Sequence, residues 1–241
     1  MADLEPLGIK TFALDVTDKQ QIASCVEHIM SVEHRIDILV NNAGLLAKAP
    51  VVEAGVDHFR QVMETNFFGC LELIAAVTPQ MIQRQTGTIV NIGSIASYTS
   101  QPFWAAYSAS KAALMSVTDA MRTELKPLGV KVVYCAPGFI ATQLDSKSRQ
   151  SGMNYLDPKG PYGSNQQISD WVHKTDGISD GTPPAAFAKG FVDMALSRCP
   201  PPHYVNGKMS WVVWFLGKLM PLSVMDGLYA KASGLQQLAA A

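Results

Sequence analysis

Two periods of apolar residues alternate along the chain. Residues 11–16 and 36–40 are short, β-rich apolar runs, and between them Ile22, Val26, Ile29 and Met30 recur at helical spacing behind Thr17. That pattern predicts a strand, a helix and a strand, and it then repeats. A long helix is predicted over 56–83, a strand over 88–92, a helix over 105–126 and a strand over 130–135. The strand runs are largely apolar, as strands buried on both faces are, so the order predicts an α/β fold: a Rossmann-like, doubly wound parallel sheet covered by helices. In such sheets ligands bind beyond the carboxyl ends of the strands, which directs attention to the loops after Val40, Ile92 and Cys135.

Beyond these elements the pattern changes. Residues 143–181 turn to Ser, Gly, Asp, Asn, Lys and Pro, too polar to bury much and too long for an ordinary connection, and read as a mobile lid-like insertion on the substrate side. Thr182 then caps a helix with Pro183 in its first turn, which ends before Pro200-Pro201-Pro202. The remainder, 203–241, is an apolar tail whose centre, 211–222, carries Trp211, Trp214 and Phe215 with Lys218 and Pro221 among them.

Composition narrows the function classes. With 241 residues, 48% of them hydrophobic, the chain can bury one sizeable core, so one domain over 1–241 is expected. The net charge of -1 comes without a basic stripe, which leaves nothing to neutralise phosphates and excludes nucleic acid as a partner. Cys25, Cys70, Cys135 and Cys199 are far apart and away from histidine, so they are expected as reduced, packed thiols with no metal site. The first residues carry acids and no apolar run behind a positive segment, unlike a secretory signal. No stretch is apolar for the ~20 residues of a membrane span. The expected location is cytoplasmic, with membrane association left to the tail.

The chemistry gathers in the three loops. The first reads Asn41-Asn42-Ala43-Gly44, the helix after it holds Asn66, the next strand ends in Asn91-Ile92-Gly93-Ser94, and the following helix carries Tyr107-Ser108-Ala109-Ser110-Lys111. Tyr107 and Lys111, four apart, share one helix face. A phenol titrates near pH ~10, and a neighbouring cation favours the phenolate, so Tyr107 is the expected acid/base with its value drawn down by Lys111. Ser94, at a strand end, would hold the substrate oxygen where charge develops. Asn66 is a poor mid-helix residue and suits another use.

Taken together these residues resemble the short-chain dehydrogenase/reductase family, with its NNAG turn, Asn-Ser-Tyr-Lys tetrad, Y-x-x-x-K helix motif and later Pro-Gly turn, here Pro137-Gly138. The likeness spans about residues 11–142 and implies an oxidoreductase moving hydride between NADP(H) and a carbonyl or hydroxyl. It further implies that Lys111 and Tyr107 also contact the nicotinamide ribose and that Asn66 kinks its helix to hold a water in a proton relay. By the same resemblance Asp15 meets the adenine edge, Asn42 lies in the turn beside the adenine ribose, and Ile140 and Thr142 hold the carboxamide and a phosphate. For Asp15 a turn former at a strand end is an equal alternative.

One family feature is missing from the sequence. A glycine-rich turn between a first strand and a first helix should precede Asp15, and only ten residues precede residue 11. The expectation is therefore an N-terminally truncated sheet lacking its first βαβ unit, with an unpaired edge at the strand ending in Val40 and weak or no NADP(H) binding. Two function classes follow: an oxidoreductase, supported by the complete tetrad, or a non-catalytic homologue acting as a scaffold or pairing partner. Residues 41–44, 64–69 and 107–114 resemble the acyl-dihydroxyacetone-phosphate reductase subgroup most, which implies an apolar, lipid-like or polyketide-like small-molecule substrate. The aromatic run at 211–216 suits an apolar pocket or a peripheral membrane contact, or else a core or subunit-contact helix. A homo-oligomer paired through the 56–83 and 105–126 helices is expected by analogy alone.

Overall fold

The computed structural model describes residues 4–173 and 180–240. Four parallel strands form one sheet in the order β1 (Ile38–Asn41), β2 (Gly87–Ile92), β3 (Val130–Pro137) and β4 (His203–Asn206). Helix α1 (Lys19–Glu33) precedes β1, and the helices between the strands are α2 (Val51–Met63), α3 (Gly69–Gln83), α4 (Ala105–Leu125), α5 (Leu144–Gln150), α6 (Gln166–His173) and α7 (Pro184–Ala195). Two more, α8 (Ser210–Leu219) and α9 (Leu222–Ser233), follow β4.

Alternation along the strands builds two cores. Ile89 and Val132 meet Ile74, Val77 and Met81 of α3 and Met121 of α4, while Tyr134 meets Cys70 and Leu114. The neighbouring Val90, Val133 and Cys135 point the other way, onto Met194 and Ala195 of α7. Side chains one residue apart face opposite sides of a strand, so a run buried at every position requires helices on both faces. The doubly wound α/β arrangement is the one the periodicity predicts.

Several expectations need correction. Residues 11–16 form no strand; they run irregularly and mostly exposed into α1, whose amino end is capped by Asp18. A strand forms only where a ladder partner is at hand, and the sheet's order ends at β1, where Val40 is 40% exposed. The predicted helix over 56–83 is broken into α2, a π-helical turn over Glu64–Phe68 and α3. Gly69 explains the close approach there, since a Cβ on it would lie 2.6 Å from the Val16 carbonyl oxygen.

The 143–181 segment departs furthest from its expectation of burying little. Its described residues form α5 and α6 and bury Asp145, Ser148, Met153, Asn154, Leu156, Ile168 and Val172, while 174–179 lie outside the described residues. Its polar residues are accommodated by pairing with one another: Ser148 donates to Asn154 Oδ1 at 2.7 Å, and Asn154 Nδ2 donates to the Val172 carbonyl at 3.3 Å. Cys25, Cys70 and Cys135 are buried as expected, but Cys199 is exposed. In the tail, Trp214 packs against the Tyr134 core, whereas Trp211 and Phe215 of the same helix stand exposed. No helix among the described residues is long and apolar enough to cross a membrane.

Candidate active site

A cavity of about 960 Å³ opens at the carboxyl ends of β1, β2 and β3, where the sheet geometry directs ligands. Ser94, Tyr107 and Lys111 all line it, together with Asn42, Ile140 and Thr142. Four separate elements thus deliver these residues: the loop after β1, the end of β2, the first two turns of α4 and the loop after β3.

Each is held from behind. Ser94 follows β2 in extended backbone, its N–H donates to the Tyr134 hydroxyl at 3.1 Å, and its Oγ accepts from Ala96 N–H at 3.1 Å. Tyr134 rises from β3 beneath it and also donates to the Lys111 carbonyl at 3.1 Å, with Ser97 as a further hydroxyl partner. Gly93 makes this possible, because a Cβ there would fall 1.9 Å from the Tyr134 ring. Lys111, buried on α4, donates from Nζ to the Ile92 carbonyl at 2.8 Å and lies 5.9 Å from the Tyr107 ring centre.

Asn66 does not reach the cavity wall. It is fully buried in the π-helical turn, where Oδ1 accepts from Leu45 N–H at 2.7 Å and Nδ2 donates to the Leu45 carbonyl at 2.9 Å and to Ser110 Oγ at 3.0 Å. Gly44 separates it from the lysine: a Cβ at Gly44 would lie 3.4 Å from Asn66 Oδ1 and 3.6 Å from Lys111 Nζ. The side chain therefore sets the path of the Asn42–Leu45 loop against α4. Asp15 is not brought to the cavity at all. It stands exposed ahead of α1, accepting from the Thr17 N–H and hydroxyl at 2.9 and 2.8 Å, which are the contacts that hold its carboxyl below the usual range. That is the turn-forming geometry.

Burial governs the electrostatics. The Tyr107 phenol is pushed above its ordinary value by desolvation, with the Ser94 side chain pulling in the opposite direction. Lys111 is pushed down to about 8 by the same desolvation. The downward pull of Lys111 on Tyr107 anticipated from their spacing is not what the packed site displays; the ammonium is turned to the Ile92 carbonyl and burial dominates both groups. A phenol held neutral is a proton donor in waiting, which suits delivery of a proton to an oxygen that gains charge.

Some cavity residues carry no family motif. Leu46, Gln101 and Trp104 form one side, Leu144 and Lys147 of α5 a second, and Phe187 and Phe191 of α7 a third. Trp104, three residues before Tyr107, was detectable in principle from helical spacing, and its ring stands 6.0 Å from that of Tyr107. The wall from α5 lies in the 143–181 segment expected on the substrate side, while that from α7 comes from a part of the chain whose pattern gives no hint of the cleft. Every lining residue lies at or after Val40, and the first-turn amides of Gln20 and Gln21 in α1 are taken by Asp18. The lining thus holds the residues that the resemblance assigns to the nicotinamide, its ribose and, through Thr142, a phosphate, while the amino end of α1 lies outside it.

Comparison with known proteins agrees with the geometry. Residues 3–152 match the family model described as short chain dehydrogenase. A short-chain dehydrogenase of Pyricularia oryzae, RED1, is 31% identical over 239 residues, covering 98% of this chain and 82% of that protein. The NADPH-dependent 1-acyldihydroxyacetone phosphate reductase of Schizosaccharomyces pombe is 36% identical over 148 residues, 61% of this chain and half (50%) of that protein's length. Among solved structures, a short-chain dehydrogenase from Streptomyces avermitilis superposes with a TM-score of 0.75 at 24% identity, covering 99% of this chain and 84% of that one.

Proposed function

Because the chain belongs to the short-chain dehydrogenase family, we propose that it is an NADP(H)-dependent oxidoreductase acting on the carbonyl of an apolar, lipid-like or polyketide-like substrate. The observation that carries the reading is the meeting of Ser94, Tyr107 and Lys111 in one cavity. A bound nicotinamide dinucleotide would supply the hydride that reduces the carbonyl carbon, or accept it in the reverse direction. Ser94 Oγ and the Tyr107 hydroxyl orient the substrate oxygen, and Tyr107, kept neutral by burial, gives it a proton. Lys111, with Tyr107, would hold the nicotinamide ribose, Ile140 and Thr142 would hold the carboxamide and a phosphate, and Asn42 would lie beside the adenine ribose; all five line the cavity.

Support for the finer parts is of different kinds. The apolar substrate rests on Leu46, Trp104, Leu144, Phe187 and Phe191 in the cavity wall and on the lipid substrate in the yeast reductase's name. The choice of NADP rests on that same name. A non-catalytic scaffold would have no use for a tyrosine and a lysine desolvated in one open cavity, since burying them costs stability.

Titration of the purified chain with NADPH and NADH, followed by turnover of medium-chain aldehydes and of small polar ketones, tests the proposal. The expected result is NADPH oxidation with the medium-chain aldehydes and less with NADH. Absence of both binding and turnover would overturn the enzyme reading, and preference for small polar ketones would overturn the substrate reading.

A further inference from the structure

Helix α5 is tied to the loop after β1 by an ion pair that solvent does not reach. Lys48 Nζ lies 2.7 Å from Asp145 Oδ1, and the two side chains are 2% and 1% exposed. Arg149 approaches the second oxygen at 3.5 Å. Taking two charges out of water costs several kcal/mol each, and an apolar pair of the same volume is often as stable or more so. Stability alone therefore does not account for these residues.

Position does. Backbone bonds run between the same two segments: Lys48 N–H donates to the Met153 carbonyl at 3.2 Å and Tyr155 N–H to the Lys48 carbonyl at 2.9 Å. Ser148 of α5 donates to the Leu46 carbonyl. From this anchored backbone Lys48 Nζ reaches over the Trp104 ring, 5.0 Å from its centre, and Trp104 meets Tyr107 edge to face at 74°. Trp104, Leu46 and Leu144 are all cavity walls. One buried ammonium thus joins the loop after β1, the start of α4 and the helix over the cleft, and its burial pushes it below the usual lysine range.

We propose that Lys48 and Asp145 are positioning residues: their pair latches α5 to residues 45–49 and holds the Trp104 ring against Tyr107, which sets the substrate wall of the cleft. This rests on the oxidoreductase reading of that cleft. The charge on Lys48 is needed for both contacts, because an apolar side chain fills the space yet neither attracts the carboxylate nor binds the indole face.

Amide hydrogen exchange and steady-state kinetics with NADPH and decanal, on Lys48→Met, Lys48→Arg and Lys48→Met/Asp145→Leu, test the proposal. Lys48→Met is expected to raise exchange in residues 144–156 about tenfold or more while residues 87–92 keep theirs. Its KM for decanal is expected to rise about tenfold with kcat within about twofold of wild type. Lys48→Arg should restore both. The double variant should recover thermal stability without recovering KM. Unchanged exchange in 144–156, or a double variant that regains KM along with stability, overturns the proposal. If the wild-type chain turns over no carbonyl, the oxidoreductase reading falls while the exchange data still decide whether the latch exists.

Discussion

Residues 88–92 and 11–16 are both short runs of β-forming residues behind a threonine, yet the first becomes a central strand and the second no strand at all. Ile89 and Val90 of β2 are wholly buried between neighbours on both sides, whereas Phe12 is 41% exposed and has no ladder partner among the described residues. Ala13 and Asp15 make the second run the weaker strand former, and what stands next to each run adds to that difference. Chemistry follows the same division. The region with partners on every side carries Ser94 at its end and supports Tyr107 and Lys111, while Asp15, at the end of the other run, caps a turn in solvent.

Tyr107→Phe gives the largest effect that this division predicts. It removes a single buried hydroxyl, so kcat for carbonyl reduction should fall about 10²–10⁴-fold. NADPH affinity and the thermal midpoint should change little. A variant that keeps most of its turnover would mean that the buried region is only a core, and the contrast with the solvent-side turn would lose its functional half.

A smaller effect sharpens the comparison through pH. Lys111 folds with a value of about 8 against an ordinary 10.5, so between those values the unfolded chain holds the proton that the folded chain has released. Stability therefore rises with pH across that window and is lost as pH falls toward 8, by about 3 kcal/mol at most. The buried thiols titrate there with the opposite sign, Cys135 being pushed up to about 12. The measurable quantity is consequently the difference between wild type and Lys111→Met in denaturant unfolding at several pH values. Wild type should gain on the variant from pH 8 upward, and parallel curves would show the ammonium to be solvated.

The same distinction explains what could be read in advance. β2, β3 and α4 follow from period, because apolar runs buried on both faces and a helical repeat are local patterns, whereas the Ser94, Tyr107, Lys111 set was legible only through the family resemblance that the joined motifs carry. Asn66 was visible as an unsuitable mid-helix residue, but its bonds to the Leu45 backbone depend on a loop 21 residues away. The α5 and α6 region was misread for a related reason: Asp145, Ser148 and Asn154 look solvated in sequence, and their partners Lys48, Leu46 and Val172 come from elsewhere in the chain. Polar residues reveal burial only through the groups that satisfy them, and those are set by tertiary contact. The strand expected over residues 11–16 failed on that ground as well, since a ladder is a property of two segments.

The smallest predicted effect examines the solvent side of the comparison directly. The Phe12 ring centre lies 5.6 Å from that of His28, and the residue is 41% exposed. Phe12→Ala should then cost less than about 0.5 kcal/mol in denaturant unfolding, as a surface substitution does. The same truncation at Ile89, which has no exposed surface, sets the scale, at about 2–5 kcal/mol for a core site that cannot collapse. A cost at Phe12 that approached the value at Ile89 would mean that residues 11–16 pack against something in solution. The run would then be a strand or core segment that has found its partner, and the line drawn here between it and β2 would have to be given up.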